Sequence, residues 1–152
     1  MAEDGYQQRI QVDAARERVW DAVGTVEGLR KWWTTKVSGS AGAGGELRFG
    51  FAGLLEEMVM LVMASRRPAC VAWRCVAHTR NQEWTGTQLS FKLAGRGPGR
   101  CELTFRHAGL PADVVADGWR HFLASLAAYA EGGAGHPFGA ERLPLDATRP
   151  LR

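Results

Sequence analysis

From Glu83 to Leu110 the chain alternates apolar and polar positions with a period of two. Thr87, Leu89, Phe91 and Leu93 share one side, and Gln88, Ser90 and Lys92 the other. After a Gly/Pro-rich turn, Cys101, Leu103, Phe105 and His107 resume the apolar side, and Glu102, Thr104 and Arg106 the polar one. Successive side chains on a pleated strand point to opposite faces, so this pattern predicts an antiparallel hairpin with one covered and one solvated face. The cover follows at once. Between Pro111 and Tyr129 the period changes to that of a helix, with Val115, Trp119, Phe122, Leu126 and Tyr129 on one stripe and Asp113, Asp117, Arg120 and Ser125 largely off it. Pro111 suits the first turn, Asp113 complements the positive end of the helix dipole, and Gly132-Gly133 supplies a stop.

Upstream, Tyr6 to Val12 alternates weakly and predicts a first strand. Asp13 is the expected N-cap of a short helix carrying Val19, Trp20 and Val23 and ending at Gly24; Thr25 is the expected cap of a second, bearing Val26, Leu29 and Trp32-Trp33. Ser38 to Gly45 reads as a loop. Its AGAGG run lacks the preceding strand and following helix of a dinucleotide site. Strands are expected at Glu46–Phe51, Leu54–Ala64 and Cys70–Ala77, punctuated by Gly53 and Arg66-Arg67-Pro68. Strands in a run with helices at the ends predict an α+β fold with an antiparallel sheet. Parity then places Leu47, Phe49, Phe51, Val71, Trp73, Cys75, Leu89, Phe91, Leu103, Phe105 and His107 on a concave face, answered by Val115, Trp119, Phe122 and Leu126. Arg74, Lys92 and Arg106 should face away. One domain over residues 6–133 is expected, followed by an extended or partly disordered tail over 134–152.

Composition narrows the function classes. The 19 basic and 16 acidic residues give a net charge of +3, from scattered arginines rather than the clustered charge that nucleic-acid binding needs. No signal peptide is expected, because MAEDGYQQ is acidic and polar with no apolar run behind it, and the longest apolar run, Met58 to Ala64, is too short for a membrane span. Cys70, Cys75 and Cys101 lack metal-type spacing and suggest reduced thiols, hence a cytoplasmic protein.

The string VWDAVGTVEGLRKWW, with Gly45-Glu46-Leu47-Arg48-Phe49, Trp73, Glu83-Trp84-Thr85-Gly86-Thr87, His107-Ala108-Gly109-Leu110 and Gly118-Trp119, resembles the SRPBCC or START-like superfamily. Within it the chain is similar to the bacterial branch related to the activator of the ninety-kilodalton heat-shock protein ATPase, over roughly Gln8 to Gly135. The resemblance implies a helix-grip fold, a curved antiparallel sheet wrapped around a long C-terminal helix, with a mostly hydrophobic cavity between them. It also implies binding of lipids, polyketides or other apolar small molecules; a minority of such proteins are cyclases or dehydratases. The resemblance implies that the co-chaperones of that name carry an additional N-terminal domain, which is not expected here.

The chemistry-bearing residues give little support to catalysis. His78, His107, His121 and His136 are dispersed, with no zinc spacing, and no metal or cofactor is expected. Glu56 and Glu57 point to opposite faces of a strand and cannot act as a pair. His107, on the apolar side with Leu103 and Phe105, is the one candidate acid/base, with Thr87 or a glutamate at 56 or 57 in support; the alternative is a satisfied structural histidine. The expected ligand wall is Phe49, Phe51, Met58, Met60, Trp73, Leu89, Phe91, Phe105, His107, Trp119, Phe122 and Leu126, with His107 near the mouth. An empty 300 Å³ apolar hollow would cost about 7 kcal/mol, so such a space must be wet, occupied, or filled by side chains such as Met58, Met60 and Met63. The leading expectation is binding of a hydrophobic small molecule without chemistry. The alternatives are a polyketide cyclase-like enzyme using His107, or an interaction module that docks on a chaperone or forms a homodimer.

Overall fold

The computed structural model describes residues 5–51, 53 and 57–139. Its elements are β1 (Gly5–Val12), α1 (Arg16–Gly24), α2 (Val26–Trp32), β2 (Lys36–Gly39), β3 (Glu46–Gly50), β4 (Glu57–Arg66), β5 (Cys70–His78), a single 3-10 turn (Gln82–Trp84), β6 (Gln88–Gly95), β7 (Cys101–Ala108) and α3 (Ala112–Gly132). The described strands form one curved antiparallel sheet in the order β1-β7-β6-β5-β4-β3-β2. With α3 lying across it and α1 and α2 inserted after the first strand, this is the helix-grip α+β fold.

Strand parity held along the sheet. Leu47, Phe49, Val71, Trp73, Cys75, Leu89, Phe91, Leu103, Phe105 and His107 are buried, while Arg74, Lys92 and Arg106 face solvent. The hairpin register follows, with Phe91 opposite Phe105 and Leu89 opposite His107. At the sheet's other end the reading needs correction. Lys36–Gly39 is a strand, so Ser38 and Gly39 of the expected loop are paired, because β3 supplies hydrogen bonds that local propensity does not reveal. In β4 Met58, Met60 and Val62 alternate inward, so Met63, the unpaired residue at the register shift between Val62 and Ala64, points outward; it is 53% exposed and fills nothing. The predicted strand start at Leu54–Glu56 lies outside the described residues.

The helix boundaries show where capping logic worked. Thr25 accepts a hydrogen bond from the Gly28 backbone N–H at 2.9 Å, as the N-cap of α2 should. Asp13 caps nothing. α1 begins after Ala15, and Asp13 instead donates its backbone N–H to the Glu131 carboxylate and pairs through its side chain with Arg100. Gly133 closes α3 in the left-handed region, donating to the Tyr129 carbonyl at 2.7 Å.

The buried stripe of α3 is broader and rotated relative to expectation. Val115, Trp119 and Leu126 are buried as predicted, and Leu123, Ser125 and Ala130 join them, while Phe122 and Tyr129 are half-buried. The reason is that α3 is covered on two sides, by the sheet and by α1 and α2. Ser125 Oγ donates to the Trp32 carbonyl at 2.8 Å, and Arg18 donates to the Ala130 carbonyl. Over residues 134–139 the chain turns back onto α2 and α3; the rest of the expected tail, 140–152, lies outside the described residues. The His136 N–H donates to Ser125 Oγ, the Phe138 N–H donates to the Trp33 carbonyl at 2.8 Å, and the Phe138 ring meets Phe51 edge-on at 5.5 Å. Gly135 permits this return, since a Cβ there would lie 2.5 Å from the Lys31 carbonyl oxygen.

Candidate functional site

The deep part of the grip is solid. Trp33, the residue after α2, inserts between sheet and helix, stacking on Trp32 (5.7 Å, 17°) and Trp73 (5.9 Å, 16°) and tilting against Phe49 (4.6 Å) and Trp119 (5.1 Å). Phe91 and Phe105 continue the packing at 5.0 Å, and Trp119 reaches Phe105 at 4.3 Å, the contact expected across the gap. Side chains therefore occupy the space that would be costly to leave empty. Of the expected ligand wall, Phe49, Met60, Trp73, Leu89, Phe91, Phe105 and Leu126 belong to this packed core, each no more than 1% exposed.

A cleft of about 330 Å³ remains where the 3-10 turn, the far ends of β4 and β5 and the first half of α3 converge. Phe51, Met58, Trp119 and Phe122 of the expected ligand wall line it, with Trp33, Val115 and Gly118 completing the apolar part. The polar rim of His78, Asn81 and Glu83, with Trp84, escaped the sequence reading. The usable signal was Trp84 itself, a bulky aromatic in a Thr/Gly-rich connection where alternation had not yet begun. Its ring is half-buried, lying 6.4 Å from Trp119 at 30° and 5.2 Å from His78.

His107 sits behind this wall rather than at its mouth. It is 0% exposed and does not line the cleft, because Trp84 (4.6 Å) and Trp119 (6.0 Å) pack edge-on against it. Its hydrogen bonds define its state. An indole N–H can only donate, so at 3.2 Å from Trp119 Nε1 the His107 Nδ1 must accept. The proton is then on Nε2, which donates to Thr87 Oγ1 at 2.9 Å; that hydroxyl donates onward to the Trp84 carbonyl at 2.6 Å. These bonds satisfy both ring nitrogens with a neutral imidazole. Burial accordingly lowers the His107 pKa to about 4.

Of the expected supporting groups, Thr87 meets His107 and Glu57 does not. Glu57 lies on the outer face, half exposed and within 3.9 Å of Arg48, and Glu56 lies outside the described residues. Cys75 and Cys101 are buried free thiols whose pKa values burial raises, the opposite of an activated nucleophile. Among the described residues no group of three or more His, Cys, Asp or Glu side chains is placed to hold a metal ion. At His78, Nδ1 accepts from the backbone N–H groups of Arg80 (3.3 Å) and Asn81 (3.1 Å), which fixes the ring over the rim.

The sequence matches the model of the family described as activator of Hsp90 ATPase homolog 1-like protein over residues 13–131. The chain belongs to this family. Among solved structures, this family member is similar to the Aha1 dimer from Colwellia psychrerythraea, at 29% identity and a TM-score of 0.74, covering 88% of this chain and all of that one. It is similar in fold to DynU16, a putative protein in the dynemicin biosynthetic locus, at 24% identity and TM-score 0.73 over 88% of this chain; it spans about half of that protein, 49%. CalU16 from Micromonospora echinospora shares the fold at 18% identity and TM-score 0.69, over 84% of this chain and 74% of that one. Among curated proteins none matches the sequence. Among the described residues, no helix is long and apolar enough to cross a membrane.

Proposed function

We propose that this family member binds an apolar or aromatic small molecule in the cleft beside α3 and performs no chemistry on it. The observation that carries the reading is a roughly 330 Å³ cleft walled mainly by aromatic and aliphatic side chains, opened by a glycine inside a helix. Gly118 costs a helix interior about 1 kcal/mol relative to alanine. Packing does not demand it, since an added Cβ would meet nothing within 4 Å. What its missing side chain leaves is space over the cleft. A catalytic alternative lacks its parts: among the described lining residues His78 and Glu83 are the ionisable side chains, and no Ser, Cys, Thr or Lys nucleophile accompanies them.

The test is a thermal-shift screen of fatty acids, flavonoids and polyketide-like aromatics on the native protein and on Gly118→Leu. At least one compound should raise Tm saturably in the native protein. Gly118→Leu should keep or raise Tm without ligand, yet lose the ligand's effect, because leucine occupies the cleft. A ligand response unchanged in Gly118→Leu would place binding elsewhere and defeat the assignment. Because the Colwellia relative is a dimer, self-association joins this proposal; three free cysteines suit a reducing compartment, and cytoplasmic residence is part of it as well.

A further inference from the structure

Resting on that reading of the cleft, we propose that its ligands are aromatic molecules bearing a positively charged amine, and that Glu83 selects them over the corresponding carboxylates. Among the described lining residues, Glu83 is the sole carboxylate, and no lysine or arginine is present. His78 turns its Nδ1 toward the backbone N–H groups of Arg80 and Asn81. Glu83 stands on the 3-10 turn, immediately before Trp84, with its side chain at the solvent edge of the cleft. The apolar body of a ligand would therefore lie among Trp84, Phe51 and Phe122, the half-buried rings with surface to offer, and its polar end would emerge beside a carboxylate.

A cation gains twice in that position, from Glu83 and from the negative faces of neighbouring rings, whereas a carboxylate meets repulsion and no compensating donor. The opposing field is the first turn of α3, whose partial positive end approaches the cleft at Val114 and Val115. Asp113 in that same turn offsets it. The net balance stays on the side of the cation.

Three probes of one ring size decide the matter by calorimetric titration: naphthylmethylammonium, naphthylmethanol and naphthylacetate. The ammonium should bind at least about tenfold more tightly than the carboxylate, with the alcohol between them, and the gap should narrow at high salt as expected for exposed charges. Glu83→Gln should reduce the gap to about threefold or less, and Glu83→Lys should reverse the order; Glu83 is exposed, and melting curves of both variants establish that they fold. If naphthylacetate binds as tightly as the ammonium, or if Glu83→Gln leaves the gap intact, the charge selection is wrong while the cleft reading stands. If none of the three probes, nor any compound of the thermal-shift screen, binds saturably, the cleft reading fails and this inference fails with it.

Discussion

The neutral histidine between Trp119 and Thr87 makes a quantitative demand on stability. An unfolded chain binds a proton at His107 with the ordinary pKa of about 6.5, whereas the folded protein holds it near 4. Between those values the unfolded state carries more protons than the native state, so acid favours unfolding. The contribution of a neutral His107 is complete above about pH 6.5, begins to fall below it and is exhausted near pH 4. The difference of roughly 2.5 pH units corresponds to about 3 kcal/mol in all, of which about 2 kcal/mol is lost between pH 7.5 and pH 5. For a domain whose whole stability is of order 5–15 kcal/mol, that is a large fraction. The geometry explains why the protein cannot relax around the charge. Protonated Nδ1 would point an N–H at the Trp119 indole N–H, and both groups lie in the packed interior. Urea titrations at half-unit pH intervals on the native protein and on His107→Gln give the difference directly, because the remaining histidines and carboxylates are common to both. Glutamine offers one donor and one acceptor and does not titrate in this range. The native protein should lose about 2 kcal/mol of its margin over the variant between pH 7.5 and pH 5. Parallel curves for the two proteins, or a folded-state His107 resonance titrating near pH 6.5, would refute the sealed, neutral assignment.

Two further outcomes follow from packing and capping. Trp119→Ala should destabilise by about 3–5 kcal/mol in chemical denaturation, since the ring is 3% exposed and packs on Phe105 and Trp33; near-neutral stability would mean the indole is a cleft wall with little core role. Thr25→Ala should cost about 1 kcal/mol by removing the acceptor for the Gly28 N–H, and Thr25→Ser should recover most of it; equal loss in both variants would assign the effect to the methyl group instead.

The core of the sheet was legible in the residues because a strand has a period of two and one buried face. Leu89, Phe91, Leu103, Phe105 and His107 could share a face in only one register, and a one-residue slip would have put Lys92 and Arg106 inside. Thr25 was legible for a similar reason: a cap is satisfied within three residues of chain. The short edge strand at Lys36–Gly39, the register shift at Met63 and the non-capping Asp13 were not, because each depends on a partner distant in sequence. The phase of α3 is intermediate. Its apolar stripe identified Trp119 and Leu126, yet burial of Ser125 and Leu123 required knowing that α1 and α2 cover a second side.

The candidate site divides along the same line. Alternation in the sequence was enough to place His107 among apolar residues, but a period says nothing of depth, and only the assembled fold showed two indoles sealing it from the cleft. Likewise Gly118 and Trp84 are separated by 34 positions, and no local pattern joins them across a common space. Backbone periodicity determines which way a side chain points; which side chains meet there, and how much room they leave, is decided by elements brought together from far apart in the chain.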